Sequence, residues 1–197
     1  MIIGITGISG SGKTEVTRIL ASMGGFTVET DPLAHALMKK GQAAHSEIVA
    51  AFGTGILGVD GEISRPALGL LVFDDKGNMS HLEGILHPKV SAATMSMIAN
   101  AKNYPFAVID APLLIEAGMH KLCDSCWLVT ASHETRLARI IARDNISIEA
   151  ANKRLAARTG DDTLKPHVDL IIENNDNDLA ILRTKVADAL RNVTRSH

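Results

Sequence analysis

The sequence predicts an α/β fold with a parallel sheet, and three observations predict it. The first is Gly7-Ile8-Ser9-Gly10-Ser11-Gly12-Lys13-Thr14, which fits the P-loop pattern G-x-x-x-x-G-K-[ST]. An apolar run from Met1 to Ile5 precedes it, short enough for a buried strand. Val16, Ile19, Leu20 and Met23 follow at the i, i+3, i+4, i+7 spacing of one helix face. The second is that further short apolar runs recur down the chain with helical patterns between them. The third is a long stretch after the second run with almost no β pattern, which reads as a helical block inserted into the sheet's connections.

The P-loop carries its own chemistry. Its glycines let backbone N–H groups face phosphate oxygens, and the helix that follows adds the positive end of its dipole. Lys13 would reach the β- and γ-phosphates of a nucleoside triphosphate, and the Thr14 hydroxyl would hold Mg²⁺.

Phe26 to Glu29 forms the second run, after a Gly24-Gly25 helix stop. Asp31-Pro32 opens a helical pattern in which Leu33, Ala34, Leu37 and Met38 are apolar. Asp31 has two readings: it caps a helix that starts at Pro32, or it stands at a strand's C-terminal end to orient and deprotonate an accepting hydroxyl. Ile48, Val49 and Phe52 predict a helix ending at Gly53, and Gly53, Gly55, Gly58 and Gly61 mark turns. Ala67 to Phe73 resumes helical spacing, and Asp74 to Asn78 reads as a loop. Leu82, Ile85 and Leu86 form a short helical face broken at His87-Pro88, from which Val90, Ala93, Met97 and Ala101 start a new helix.

Phe106 to Ile109 is the third run and ends in Asp110, either a carboxylate facing a nucleotide's Mg²⁺ or a merely solubilising one. Glu116 falls near the same crevice. Trp127 to Thr130 and Val168 to Ile172 are the last two runs. Between them Arg136, Arg139, Arg143, Lys153, Arg154 and Arg158 lie on two helical patterns split near Asp144-Asn145-Ile146-Ser147. Arg136, Arg139 and Arg143 share a face. It is a solvated face, or a lid whose arginines close over a transferring phosphoryl group and exclude water. Asn174-Asn175 is a turn, and Leu179, Leu182, Val186 and Leu190 give the closing helix its buried stripe.

Composition narrows the class. The 197 residues suit one domain, and 46% hydrophobic content can fill a core that 3% aromatics leave to aliphatic side chains. A net charge of -2 argues against a nucleic-acid binder with a broad basic surface. No apolar run approaches membrane-spanning length. Met1 heads the first strand and leaves no room for a signal peptide, so a cytoplasmic location is expected. Cys123 and Cys126, spaced C-x-x-C, lead into a strand and lack a second pair of ligands, which favours packing over redox or zinc chemistry.

The motif set resembles the dephospho-coenzyme A kinase family over nearly the full chain. Ile5-Thr6 before the P-loop is similar to the family's start. Val28-Glu29-Thr30-Asp31 resembles its D-A-D segment, with Leu33-Ala34-His35 after it. Asp60-Gly61 to Phe73, with Arg65 and Leu68, resembles its R…L…F segment. Leu82 with Leu86-His87-Pro88 resembles L-N-x-x-L-H-P. Asp110 to Glu116, D-A-P-L-L-I-E, is similar to D-x-P-L-L-F-E. Arg139, Arg143-Asp144 and Arg154 resemble the lid, and Asp169 to Asn174 the late D-x-x-I-x-N. Glu29, Glu83, Arg158 and Asp176 depart from the family's usual residues without removing a group the chemistry requires.

The resemblance implies a P-loop kinase: a five-stranded parallel sheet with helices on both faces, a helical substrate-binding insert and a helical lid. The core would be 1–30, 105–135 and 165–197, the acceptor region 31–104 and the lid 136–164. The implied reaction is ATP-dependent phosphorylation of the ribose 3′-hydroxyl of dephospho-coenzyme A, with Mg²⁺. Asp31, Lys13 and Arg139 would be catalytic. Gly7 to Glu15, Arg139, Arg143 and Asn174 would hold ATP. Thr6, Asp31, His35, Arg65, His87, Pro112, Leu113 and Glu116 would hold the acceptor, and Thr14 and Asp110 the metal. The rivals are another small-molecule kinase, such as a nucleotide or shikimate kinase, a nucleotide switch, and a relative that binds ATP without turnover. A guanine switch would show N-K-x-D, whereas Asn152-Lys153 is followed by Arg154-Leu155.

Overall fold

In chain order the elements are β1 (Ile2–Thr6), α1 (Lys13–Ser22), β2 (Gly25–Glu29), α2 (Thr30–Leu37), α3 (His45–Phe52), α4 (Arg65–Val72), α5 (Lys76–Asn100), β3 (Phe106–Asp110), β4 (Ser125–Thr130), α6 (His133–Asp144), α7 (Ile148–Ala156), α8 (Asp161–Leu164), β5 (Leu170–Glu173) and α9 (Leu179–Ser196). The computed structural model describes residues 1–156, 160–176 and 178–196. Two compact units divide the chain: Met1–Val28 with Ala101–His197, and Glu29–Asn100.

The first unit carries the parallel sheet, in the order β2-β3-β1-β4-β5. Ile3 pairs with Val108 on one side and Ser125 on the other, so β1 is central. Alternation along β1 divides its faces. Ile3 and Ile5 are fully buried with Val108, Trp127 and Val129, against Val16, Ile19 and Leu20 of α1 and Leu182 and Val186 of α9. Each such side chain contributes about 1.5–3 kcal/mol of burial. On the other face Gly4 lies under Leu114 and Cys123. A Cβ there would stand 2.6 Å from the Cys123 sulfur, so no larger residue fits. The C-x-x-C pair is therefore packing, as its position at a strand entrance predicts: Cys126 is buried in register with Gly4, and both thiols are free. In α9 the buried stripe is Leu182, Val186 and Ala189, whereas Leu179, in the helix's first turn, is exposed.

The second unit is helical apart from an isolated bridge between Leu57 and Ile63. Its core is Ala44, Ile48, Ile56, Leu68 and Val72, with Leu37, Met38, Leu82, Ile85 and Leu86 packed around it. Three expectations change here. Asp31 is not a cap: α2 begins at Thr30 with Glu29 preceding it, and Asp31 sits exposed in the first turn. Asp74 to Asn78 is not a loop throughout, because Asp75 accepts from the amides of Gly77 and Asn78 at 2.8 and 3.0 Å and so starts α5. Nor does His87-Pro88 break the helix: α5 runs through Pro88. Proline removes one hydrogen bond, to the Gly84 carbonyl. Packing of Leu82, Ile85 and Leu86 before it, and burial of Val90 and Thr94 after it, outweigh that local loss.

Candidate active site

Parallel strands place Thr6, Asp110, Thr130 and Glu173, the last residues of β1, β3, β4 and β5, along one edge of the sheet. The P-loop leaves that edge from β1 and turns into α1. Gly12 precedes the helix at φ 93°, a conformation that costs other residues roughly 1–2 kcal/mol. A Cβ on it would collide with Asn174 Nδ2. Helix geometry leaves the first amides of α1 without partners inside the helix, directed at an incoming anion.

Lys13 does not extend into solvent. Its ammonium donates to Asp110 Oδ1, and Thr17 Oγ1 donates to Asp110 Oδ2 at 2.7 Å. Asp110 is only 4% exposed. A carboxylate with a cation against it, at a strand end beside a phosphate loop, is a site that attracts positive charge. A carboxylate there is a hard oxygen donor, the kind Mg²⁺ takes when phosphates and water complete its shell.

Two arginines of α6 turn toward the same loop. Arg139 Nη1 donates to the carbonyls of Gly10, Ser11 and Asn174 at 3.3, 3.4 and 3.0 Å, and its Nη2 to Asp176 at 3.2 Å. Arg143 reaches Ser9 Oγ at 3.5 Å and pairs with Asp144. Asp144 also takes Arg154 from α7. Its hydrogen bonds with Arg143, with the Arg154 charge behind them, hold its carboxyl below the usual range. Asn174, buried at the end of β5, donates to the Ser11 carbonyl at 2.9 Å. Arg136, expected on the same face as Arg139 and Arg143, instead pairs with Asp161. Arg158 lies outside the described residues.

Other expected residues fall as follows. Thr6 donates to the Pro112 carbonyl at 3.1 Å, at the start of the turn-rich 112–118 segment, in which Leu113 is half-buried and Glu116 exposed. Glu15 pairs with Arg18 at 3.2 Å on the outer side of α1. Asp31, His35, Arg65 and His87 belong to the second unit. The first three are exposed, and His87 is half-buried in α5. Sequence reading missed Thr17 and Asp161. Thr17 had a signal: a hydroxyl one turn after Lys13, between the buried Val16 and Ile19. Asp161 had none, since its partners lie 25 and 31 residues away.

A family model described as CoaE: Dephospho-CoA kinase matches residues 1–180. A dephospho-CoA kinase of Geobacter sulfurreducens is 40% identical over 176 residues, covering 88% of this chain and 89% of that protein. Two crystallised proteins share the whole architecture. TT1252 from Thermus thermophilus superposes with a TM-score of 0.82 at 30% identity, covering 100% of this chain and 97% of its own. A dephospho-CoA kinase from Campylobacter jejuni gives 0.70 at 26% identity, covering 99% and 98%.

Proposed function

The chain belongs to the dephospho-CoA kinase family, and from that premise we propose how its residues carry out the reaction. The enzyme catalyses ATP-dependent phosphorylation of dephospho-CoA, a step of coenzyme A biosynthesis. The acceptor atom is the ribose 3′-hydroxyl, and the product is coenzyme A with ADP. Family membership answers the rival readings of another acceptor or a switch.

The observation that carries the assignment of roles is the set of contacts converging on the P-loop: Lys13 on Asp110, and Arg139 on the carbonyls of Gly10 and Ser11. On nucleotide binding the Lys13 ammonium exchanges Asp110 for the β- and γ-phosphates, while the loop amides and the α1 N-terminus cradle them. Asp110 and the Thr14 hydroxyl hold Mg²⁺, which when bound offsets phosphate charge. Arg139, with Arg143 beside it, faces the charge that develops on the equatorial oxygens of the transferring group. Asp31 orients the acceptor hydroxyl and takes its proton. Of the first unit, Thr6, Pro112, Leu113 and Glu116 are the residues for the acceptor, and Glu15 and Asn174 border the nucleotide; of the second, His35, Arg65 and His87 are the residues for the acceptor. No described helix is long and apolar enough to cross a membrane.

The direct test is ADP release by purified protein with Mg-ATP, with dephospho-CoA, adenosine, AMP or shikimate as acceptor. Stimulation by dephospho-CoA alone, with a product heavier by one phosphate, is the expected result. Equal stimulation by another acceptor would overturn the reading.

A further inference from the structure

The base of the lid segment carries a largely buried charge pair that the roles proposed above do not use. Arg136 Nη1 meets Asp161 Oδ2 at 3.2 Å, and the two side chains are 15% and 14% exposed. Thr130, the last residue of β4, donates its hydroxyl to the same carboxylate oxygen. Arg136 Nε and Asp161 Oδ1 find no partner among the described residues. The pair is thus largely buried with part of its hydrogen-bonding capacity unmet, an arrangement that adds little to stability over well-packed apolar residues. Stability is a poor explanation for it, and position a better one.

Its position is specific. Arg136 is in the first turns of α6, and Asp161 begins α8, so the pair joins the two ends of the intervening segment, which holds the rest of α6 and all of α7. Thr130 ties that junction to the sheet, where its carbonyl also accepts from Asn174 N at 2.8 Å. The Arg136 carbonyl lies 2.7 Å from where a Cβ on Gly10 would stand, so the same residue packs against the P-loop. Arg139 follows one helical turn later and donates to the Gly10 and Ser11 carbonyls. Next to the pair a cavity of about 320 Å³ is lined by Ile8, His133, Arg136, Asn152 and Leu155. Apolar packing of Ile140, Ala151 and Leu155 on Ile8 holds the middle of the segment; at its base, beside the cavity, the polar contacts add a second tie.

We propose that Asp161 is a positioning residue: through Arg136 and Thr130 it staples the base of the lid to β4 and so sets Arg139 on the P-loop. This rests on the role given above to Arg139. Loss of the staple leaves nucleotide binding largely intact but lets the lid seat imperfectly during transfer. Misplacement on the scale of 1 Å costs on the order of 10²-fold in rate, and a poorly seated lid admits water to the phosphoryl group.

The test compares Asp161→Asn, Arg136→Gln, the double variant and Arg139→Ala in the full-length enzyme. Readouts are kcat, KM for ATP, and the ratio of ADP formed to acceptor phosphorylated. Asp161→Asn and Arg136→Gln are each expected to lower kcat by roughly 10–10², change KM for ATP less than about threefold, and raise the ADP-to-product ratio above one. The double variant is expected to be no worse than the poorer single one, because both act through one contact. Asp161→Glu should recover part of kcat. If Asp161→Asn fails to fold, the double variant, which buries no lone charge, carries the same readouts. A lower unfolding midpoint with kcat unchanged and the ratio at one overturns the proposal and makes the pair structural. Independent, multiplying losses in the double variant also overturn it. Near-normal kcat in Arg139→Ala refutes the underlying reading of Arg139 and, with it, this proposal. A large loss there beside normal Asp161→Asn refutes only the staple.

Discussion

Arg139 occupies two backbone carbonyls of the nucleotide loop, those of Gly10 and Ser11, and that of Asn174 just after β5. A fork with several donors can span these acceptors, whereas a lysine's point charge cannot. Arg139→Ala should lower kcat by roughly 10²–10³ with a smaller rise in KM for ATP, and Arg139→Lys should recover little. Steady-state kinetics separates the cases: a rise in KM at constant kcat would make Arg139 a ground-state binding group. Gly12→Ala should abolish nucleotide binding, since the new methyl collides with Asn174 Nδ2 on a backbone at φ 93°. Retained ATP affinity by calorimetry would contradict this. Asp31→Asn should lower kcat by roughly 10²–10⁴ while ATP still binds, and near-normal turnover would remove Asp31 as base. At this scale the sequence reads well where spacing encodes position, as in Lys13 and Asp110, which the structure brings together. It reads poorly where a side chain's partner is remote. Nothing in the pattern around Arg136 says that it turns from its arginine neighbours to Asp161.

The elements show the same division. All five strands and the split of the lid into α6 and α7 follow from apolar runs, helical spacing and the Asp144-Asn145 stop, where Asn145 adopts φ 51°. The course of α5 through Pro88 is not legible locally, because the interactions that keep it helical come from α2 and α4. In the lid, Asp144 joins α6 to α7 through Arg143 and Arg154. Its carboxyl is held below the usual range by the Arg143 hydrogen bonds first. Over the window between its folded pKa and its unfolded value near 3.9, the unfolded chain binds more protons, so this contribution is present above the window and lost as pH falls through it. Asp144→Asn should therefore leave a shallower loss of stability on acidification below about pH 4. An unchanged slope in urea titrations across that range would show that the triad does not act in this way.

For the whole molecule, ligands should report on the site through stability. Mg-ATP at about one hundred times its Kd should raise the unfolding free energy by roughly 2.7 kcal/mol. Lys13→Ala should lose most of that shift in a thermal scan. An equal shift in both proteins would place nucleotide binding elsewhere than the P-loop.

The sheet order also sets how the chain must be made. Of this sheet's strands β1 is made first, yet its hydrogen-bonded neighbours are β3 and β4, with Ile3 facing Val108 and Ser125. Between them the chain builds the whole of Glu29–Asn100 as a separate unit. At about 5–20 residues per second of synthesis, the nucleotide-binding strand waits several seconds on the ribosome with both edges open. The helical unit has an apolar core of its own to assemble meanwhile, and β1 is the strand of this sheet that waits longest for its partners.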